Sequence, residues 1–382
     1  MNNDGGYEAA WPGGLLSESA GTHQRQIAYF ISAHGLGHAT RACAIMAAVH
    51  DREPGWHFHI FTEAPEWVFR ESNTGPYTYH RAVTDVGLVQ ASPLVEDLAA
   101  TLERLDSFLP FDIFLLRHWA DWLVRLQCEL VVCDISPLGI AAARLAALPS
   151  LLIENFTWDW IYTAYLDQAP GLQRHIAYLA DVFAQSSRRL QMAPVCTPSS
   201  AAAGTAPPVS RRPRISEGET RVRLGLAPTD RLILVTLSGA PELIRLSPER
   251  ASDPGLVFIF PAAATSLRRA GQRLLLPAVS PIYHPDLVWA CDAVINKLGY
   301  STVAEAYHAG LPLGGVPRAK FPESPVMAAF VRENMPSVEI APADFQSGNW
   351  ARAVDDLLAM PRTRPHHPNG ADGAADFIMG LL

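Results

Sequence analysis

The chain has 382 residues, 49% hydrophobic and 18% charged, a composition typical of a folded protein long enough for two domains. Its formal net charge of −8 argues against a nucleic-acid partner, because no excess of basic residues is available to neutralise phosphates. The five cysteines form no CxxC pair, so we expect free thiols and a cytoplasmic location. The N-terminus lacks a basic region followed by an apolar run, and the chain has no apolar stretch of about 18 residues, so no signal peptide and no transmembrane segment are expected.

In the first half of the chain, short apolar runs alternate with helix-like segments. Residues 1–23 are rich in Gly, Ser and Asn and are predicted to form a flexible tail. Strands that alternate with helices are typical of a parallel, doubly wound sheet. The predicted strands are 27–32, 57–61, 130–133 and 150–153, and the predicted helices are 39–49 and 140–147.

The second half follows a proline-rich segment, 197–214, whose scarcity of large apolar residues predicts a linker. The alternation then resumes, which predicts a second α/β domain. Strands are predicted at 232–237, 256–260, 293–295 and 313–316, with a helix at 302–309. The predicted domains are 24–196 and 215–365, followed by a segment, 366–382, whose apolar helix could cross back onto the first domain.

The loop after the first predicted strand is His34-Gly35-Leu36-Gly37-His38. It is not a complete GxGxxG pattern, and no acidic residue follows at the ribose-reading distance, so a nicotinamide site is not indicated. A histidine at a helix start in a glycine-lined cleft suits a general base. Two alternatives remain: His38 caps the helix, or it pairs with His34 in a metal site that lacks a visible third ligand.

Two further strand ends carry polar residues. Asp134 follows the strand 130–133 and could orient a histidine ring and stabilise its cation, although a helix cap or turn is the commoner use of such an aspartate. The segment 236–240, Thr-Leu-Ser-Gly-Ala, could present backbone N–H groups to a phosphate.

The strongest pattern is Asn296-Lys297-Leu298-Gly299-Tyr300-Ser301-Thr302-Val303-Ala304-Glu305. A strand ends, a glycine turns, and a helix begins whose positive N-terminal end suits a diphosphate. Glu305, one turn into this helix, could accept hydrogen bonds from the two ribose hydroxyls. The alternative is a capping box, in which the side chain of Thr302 caps the helix and Glu305 reaches back to it.

Aromatic residues between positions 108 and 126 recur at helical spacing, which favours core packing over an apolar acceptor site or contact with a membrane surface. Residues 155–162 combine aromatic side chains with Asp159, a pattern that suits sugars but also occurs in simple packing.

Three motifs together carry a resemblance to a known family. Segments 34–41, 155–162 and 296–305 resemble GT-B glycosyltransferases, in particular the glycosyltransferase-like region of L-arabinokinases and its bacterial relatives. The second half is more distantly similar to the GlcNAc transferase of peptidoglycan synthesis. The similarity spans about residues 24–360 and implies an α/β, GT-B fold: two Rossmann-like parallel-sheet domains that face each other across a cleft.

The resemblance also implies a function: inverting, metal-independent transfer of a sugar from a UDP-sugar to a hydroxyl acceptor, either a lipid, a glycan or a natural product. It implies His38 as the catalytic base and Asp134 as its partner. The implied donor-binding residues are Gly37, Ser238, Gly239, His284, Gly299, Tyr300, Ser301, Thr302, Glu305 and Glu323. The implied acceptor-binding residues are His34, Trp158 and Asp159.

One departure from the family pattern is the loop after Ser238, which is short and lacks a second glycine, so the identity of the donor stays open. The Gln and Asn that contact GlcNAc in the peptidoglycan enzyme are replaced by Pro322-Glu323-Ser324-Pro325, so its sugar preference does not transfer. The chain has no Asp-x-Asp triplet, so no metal is expected, and the UDP-sugar is a co-substrate rather than a cofactor. A non-catalytic sugar-nucleotide-binding module and a UDP-sugar epimerase of the same fold remain alternative functions.

Overall fold

The computed structural model describes residues 24–72, 74–92, 95–236, 253, 255–365 and 368–382. The predicted tail, 1–23, and the predicted phosphate-binding residues Ser238 and Gly239 therefore lie outside the described residues. The described part of the chain forms two large sheets of seven strands each and a small two-stranded sheet. The two large sheets correspond to the two halves of the sequence.

The first sheet is parallel throughout, and its strands are rich in buried β-branched and aromatic residues. Its strands are β1 (Gln26–Ile31), β2 (His57–Thr62), β3 (Tyr77–Arg81), β6 (Cys128–Asp134), β7 (Ser150–Glu154), β8 (Arg188–Met192) and β9 (Thr205–Ala206). Their order across the sheet is β3-β2-β1-β6-β7-β8-β9. A separate antiparallel pair consists of β4 (Gln90–Ser92) and β5 (Val95–Glu96).

Helices that connect these strands cover the first sheet. Two of them begin where an aspartate side chain accepts backbone N–H groups, at Asp97 and Asp112, and one begins at Ser136 in the same way. The helices are α1 (Gly37–Arg52), α2 (Glu66–Ser72), α3 (Leu98–Phe108), α4 (Ile113–Arg125), α5 (Pro137–Leu145), α6 (Trp158–Thr163) and α7 (Gln173–Ala184), with a 3₁₀ turn at Pro170–Leu172.

The second sheet is parallel except for one edge strand, β12, which pairs antiparallel with its neighbour. Its strands are β10 (Arg231–Thr236), β11 (Leu256–Ala264), β12 (Arg268–Ala270), β13 (Arg273–Pro277), β14 (Ala293–Asn296), β15 (Leu313–Gly315) and β16 (Ser337–Glu339). Their order is β12-β13-β11-β10-β14-β15-β16.

Helices also connect the strands of the second sheet, and the last helix of the chain follows them. They are α8 (Glu217–Arg223), α9 (His284–Ala290), α10 (Tyr300–Ala309), α11 (Glu323–Asn334), α12 (Pro342–Ser347), α13 (Ala351–Ala359) and α14 (Gly370–Met379). Among the helices described, none has the length and apolar character needed to cross a membrane.

The register of the strands places the predicted site residues. β1 and β6 are neighbours although nearly a hundred residues separate them, and Ile31 pairs with Asp134 at their carboxyl ends. In the second sheet, β10 and β14 are neighbours, and Thr236 pairs with Asn296. Both motif loops therefore start from the central strands of their sheets, where ligands bind in open parallel sheets.

Two segments connect the halves differently from a simple linker. Part of the predicted linker is not a linker: Thr205–Ala206 forms β9, the last strand of the first sheet. The C-terminal helix α14 lies against α1, with Arg52 Nε donating to Asp376 Oδ1 at 2.8 Å. The N-terminal half is therefore completed by a strand from the predicted linker and covered in part by the C-terminal helix.

The aromatic residues between positions 108 and 126 form a stripe that lies mainly on α4 and packs chiefly against the first sheet. Leu123 is fully buried, and the ring of Trp119 meets Phe61 edge-on with centroids 5.5 Å apart. Phe114 differs, because 72% of it is exposed. Core packing therefore accounts for most of the stripe.

Candidate active site

A large cleft, with a volume of about 1490 Å³, lies between the carboxyl ends of the two sheets. The loop between β1 and α1 lines one side, and the loop between β14 and α10 lines the other. Most predicted site residues line it: His34, Gly37 and His38 from the first domain, and His284, Gly299, Tyr300, Ser301, Thr302, Glu305 and Glu323 from the second.

His38 and Asp134 are in direct contact. The Nδ1 atom of the histidine lies 2.8 Å from Asp134 Oδ1, and Asp134 is completely buried whereas His38 is 7% exposed. Neither residue caps a helix, which was the alternative role considered for each. Leu36, not His38, occupies the N-cap position of α1, and Ser136, not Asp134, caps α5.

Arg41, one turn after His38 on α1, holds the same carboxylate. Its Nε donates to Asp134 Oδ2 at 2.8 Å, and its Nη2 donates to Oδ1 at 2.5 Å. Burial raises the pKa of Asp134, but the charge and hydrogen bonds of Arg41, with those of His38, outweigh burial and hold this pKa below its ordinary value. Asp134 is therefore ionised at neutral pH.

The contacts of His38 select one neutral tautomer. Arg41 Nη2 also lies 3.2 Å from Nδ1, so Nδ1 could in principle accept from it. That arrangement would leave a histidine lone pair facing a carboxylate oxygen at 2.8 Å, two acceptors without a proton between them. The favoured tautomer has Nδ1–H donating to Asp134, which leaves the lone pair on Nε2 free to accept a proton.

A chain of hydrogen bonds continues from this cluster across the cleft. Arg41 Nη1 donates to Asn155 Oδ1 at 2.7 Å, and Asn155 Nδ2 donates to Glu323 Oε1 at 2.8 Å. Asn155 follows β7 in the first domain, and Glu323 is the first residue of α11 in the second. The histidine cluster is thereby tied to the opposite sheet through buried polar groups.

The N-terminal end of α10 faces the N-terminal end of α1. Gly299 occupies the N-cap position, and no side chain caps the helix, so the capping box that was the alternative for this motif is absent. The approach is close, since a Cβ atom on Gly37 would lie 3.9 Å from Ser301 Oγ. Uncapped N–H groups and the positive end of the helix dipole favour an anion at this point of the cleft.

Glu305 forms a second buried cluster. Its Oε1 receives Arg211 Nε at 3.1 Å, and its Oε2 lies 2.8 Å from His284 Nδ1. Burial raises the pKa of Glu305, but Arg211 and His284 outweigh burial and lower it below its ordinary value. Each carboxylate oxygen keeps a second lone pair, so Glu305 can still accept a hydrogen bond from a ligand.

The residues predicted to bind the acceptor are only partly brought together. His34 lines the cleft and meets the ring of Trp158 edge-on, with centroids 5.1 Å apart. Trp158 is buried behind the cleft and donates from Nε1 to Asp85 Oδ2 at 2.7 Å. Among the described residues that line the cleft, Asp85 is present but Trp158 and Asp159 are not.

Two titratable groups near this side have shifted pKa values. Burial, together with the charges of His38, Arg318 and Lys297, lowers the pKa of His34 to about 3, so this ring is neutral. Burial raises the pKa of Asp85 above its ordinary value. A neutral imidazole ring can both donate and accept hydrogen bonds, and a carboxyl group beside it can accept them from a polar ligand.

Several cleft residues were missed by the sequence reasoning. Arg41 could have been found, because a residue three positions after His38 shares its helix face. Asp85 and Arg211 carry no local signal, since their partners are distant in sequence, and Arg318 belongs to no recognisable motif. In the part of the chain that the structure describes, no cluster of three His, Cys, Asp or Glu side chains is arranged to hold a metal.

The sequence is similar to those of two known proteins. No family model matches the chain. An L-arabinokinase of Arabidopsis thaliana is 28% identical over 368 residues, which cover 94% of this chain and 35% of that protein. An uncharacterized glycosyltransferase of Methanopyrus kandleri is 23% identical over 267 residues, 68% of this chain and 77% of that protein. The chain thus spans about a third of the length of the plant relative.

Solved structures show the fold. The calicheamicin glycosyltransferase CalG4 matches with a TM-score of 0.61 at 17% identity, covering 94% of this chain and 99% of that one. MurG of Acinetobacter baumannii matches with a TM-score of 0.54 at 15% identity, covering 93% of this chain and 99% of that one. LpCGTa, solved in complex with UDP, matches at 0.55 and 13%, covering 94% of each chain. The chain therefore has the GT-B fold, and the predicted resemblance is confirmed.

Proposed function

We propose that this protein is an inverting glycosyltransferase that moves a sugar from a UDP-sugar to an acceptor hydroxyl without a metal ion. One observation carries the proposal: a histidine–carboxylate pair lies in the cleft opposite the uncapped start of α10. The first feature suits proton removal, and the second suits the diphosphate of a leaving nucleotide. The glycosyltransferase neighbours with the same fold make this pairing chemically coherent.

His38 serves as the base in this mechanism. A hydroxyl group is a weak nucleophile until its proton is removed, while C1 of the sugar gains positive character. Nε2 accepts the acceptor's proton as the acceptor oxygen bonds to C1 and the bond from C1 to the diphosphate breaks. Asp134 accepts the hydrogen bond from Nδ1–H, which fixes the tautomer and stabilises the cation that forms. Attack from the side opposite the leaving group inverts the anomeric centre.

The leaving diphosphate is placed at Gly299, Tyr300, Ser301 and Thr302. The helix N-terminus of α10 offers backbone N–H groups and a positive dipole end, which oppose the charge that develops on the leaving group. Together these groups can replace the divalent metal that other glycosyltransferases use.

The nucleoside is placed beside the second buried cluster. Glu305 follows the diphosphate site by one helical turn, and Arg211 and His284 hold its carboxylate in one orientation. A fixed carboxylate can accept hydrogen bonds from the two ribose hydroxyls at little entropic cost. Uridine is the base we propose, because LpCGTa, which shares the fold, was solved with UDP.

The acceptor is placed on the first-domain side of the cleft, near His34, Asp85 and Phe156. This wall is mixed: an aromatic ring and a neutral imidazole flank a half-buried carboxyl group. Such a surface suits a molecule with an apolar body and a reactive hydroxyl, either a lipid, a glycan or a natural product.

A two-stage experiment tests the proposal. Thermal-shift measurements with nucleotide sugars would identify the donor, and mass spectrometry of acceptor mixtures in EDTA would detect the glycosylated product. We expect a product that His38→Ala abolishes while the variant still binds UDP. Binding without turnover would indicate a binding module instead, and conversion of the donor to its epimer in the absence of an acceptor would indicate an epimerase.

A further inference from the structure

Arg318 is a buried cation whose guanidinium donates no hydrogen bond to the residues that the structure describes. Its residue is 9% exposed, and it lines the cleft on the loop between β15 and α11. Within the described ranges, Nε has no hydrogen-bond partner, and the guanidinium donates no hydrogen bond to any residue. It stacks on Phe321, with Cζ 3.6 Å from the ring centroid. A desolvated guanidinium normally donates to an anion, because its five N–H groups are costly to leave unpaired.

A second cation lies close by. Lys297, which follows β14, also lines the cleft, and the charge of Arg318 lowers the pKa of its ammonium group. Burial lowers the pKa of Lys297 to about 8, so its ammonium group is still charged at neutral pH. Two cations at the edge of one cleft create a strong demand for negative charge.

The carboxylates described near Arg318 accept no hydrogen bond from its guanidinium. Glu323 approaches Arg318 no closer than 3.9 Å, beyond hydrogen-bond distance, and one of its oxygens already receives Asn155. Burial raises the pKa of Glu323 above its ordinary value, although the charge of Arg318 and the hydrogen bond from Asn155 oppose this shift. Glu96 and Tyr165 act on Arg318 only through their electrostatic field. Among the described residues, none accepts a hydrogen bond from the Arg318 guanidinium, so an anionic ligand is a candidate partner for it.

We propose that Arg318 and Lys297 bind a carboxylate carried by the transferred sugar, so that the donor is a nucleotide-linked uronic acid. This inference rests on the proposed glycosyltransferase function and names its donor class. A guanidinium fork matches a carboxylate in a bidentate arrangement, and the ammonium group supplies the second positive charge.

The position of Arg318 favours the sugar over the diphosphate. Phe321, on which Arg318 stacks, lies parallel to the ring of His34, with centroids 6.5 Å apart. Glu323 leads through Asn155 to Arg41 and the His38 cluster. Arg318 is therefore on the side of the cleft that holds the base, whereas the diphosphate leaves from the opposite face of C1. It also belongs to the second domain, where the donor is placed.

The test uses donors that differ only in the carboxylate. Calorimetry at fixed salt would compare UDP-glucose with UDP-glucuronate and UDP-galactose with UDP-galacturonate, and UDP alone would report on the nucleotide site. We expect one uronate to bind roughly 10- to 100-fold more tightly than its neutral partner, since one charge-assisted interaction is gained. UDP should bind to the same protein.

Three variants assign the preference to Arg318. Arg318→Met should remove the difference within the pair while leaving UDP affinity within about twofold, because the phosphate groups bind elsewhere. Lys320→Met, which removes an exposed charge two residues away, should keep the preference. Arg318→Lys should keep part of it, and this variant tests the proposal if Arg318→Met does not fold.

The outcomes separate this inference from its premise. Equal affinity for uronate and neutral sugar in the wild-type protein overturns the inference, as does an equal loss of UDP affinity in Arg318→Met. If free glucuronate binds the UDP-loaded protein in an Arg318-dependent manner, the carboxylate belongs to the acceptor and the inference is wrong. If neither UDP nor any UDP-sugar binds, the proposed function itself fails.

Discussion

Two buried carboxylates, one in each domain, are each held by one histidine and one arginine. Asp134 contacts His38 Nδ1 at 2.8 Å and Arg41 Nε at 2.8 Å. Glu305 contacts His284 Nδ1 at 2.8 Å and Arg211 Nε at 3.1 Å. Both have a pKa below the ordinary value despite their burial, so both clusters contain an ionised carboxylate.

The clusters differ in which member is available to a ligand. Asp134 is completely buried, and the cleft is lined instead by His38, on the opening turn of α1, and by Arg41. Glu305 lines the cleft itself, beside His284 and Arg211. The same three chemical groups can therefore present either a base or a fixed hydrogen-bond acceptor. What decides is the geometry around the carboxylate, not the residue types.

The largest expected effect separates the two histidines. His38→Ala should lower kcat by roughly 10²–10⁴, the usual loss for a general base, and leave UDP affinity nearly unchanged. His284→Ala is the matched control in the other cluster, and it should act mainly on donor affinity. Steady-state kinetics and calorimetry on both variants would distinguish them. Equal losses of kcat would mean that the clusters do not have different roles.

The next effect concerns Asp134. Asp134→Asn should lower kcat less than His38→Ala, since the imidazole remains but loses the carboxylate that fixes its tautomer. It should also cost about 3–5 kcal/mol of unfolding free energy, because the buried charge of Arg41 loses its counterion. Denaturant unfolding would measure this loss. In the double variant, kcat should fall no further than in His38→Ala, and additive losses would mean that the two residues act separately.

A smaller effect is expected at Glu305. Glu305→Gln should weaken UDP binding by roughly tenfold, since a charge-assisted hydrogen bond to ribose becomes a neutral one. Gln is preferred to Ala here because Ala would also leave the buried Arg211 with no group in the place of the carboxylate. Calorimetry with UDP and with 2′-deoxy-UDP would check the contact. A variant that still discriminates between them as the wild type does would exclude Glu305 from ribose binding.

The smallest effect is a pH dependence of donor affinity. Lys297, which faces Arg318 and Glu323, has a pKa of about 8 and is charged below that pH. Anionic donors should therefore bind more weakly as the pH rises through about 8, by roughly tenfold or less. Lys297→Met should flatten this profile at the lower affinity. An unchanged profile in the variant would assign the titration to another group.

The fold could be predicted from the sequence because its signals are local. Apolar runs of strand length alternate with helical segments in both halves, and the structure contains a strand or helix at each predicted position that it describes. Element ends moved by a few residues, as at α10, which begins at Tyr300 rather than Thr302. Six strands of the two large sheets were not predicted, namely β3, β8, β9, β12, β13 and β16. In β9, two residues within a proline-rich segment carry no periodicity.

The candidate site was less predictable because its contacts join distant parts of the chain. Motif position alone indicated that His38 and Asp134 follow strands, but their contact depends on β1 lying beside β6. Arg211 falls in a segment predicted as linker, yet it holds the carboxylate of Glu305. Arg318 has no motif, and only the three-dimensional structure shows that its Nε has no hydrogen-bond partner among the described residues.

The stereochemistry of transfer tests the central claim most directly. With an α-linked UDP-sugar and an acceptor found by the screen, the coupling constant of the product's anomeric proton in an NMR spectrum reports its configuration. Attack assisted by His38 from the face opposite the diphosphate predicts a β-linked product, formed equally well in EDTA. An α-linked product, or formation that requires added manganese, would contradict a metal-free inverting mechanism with His38 as its base.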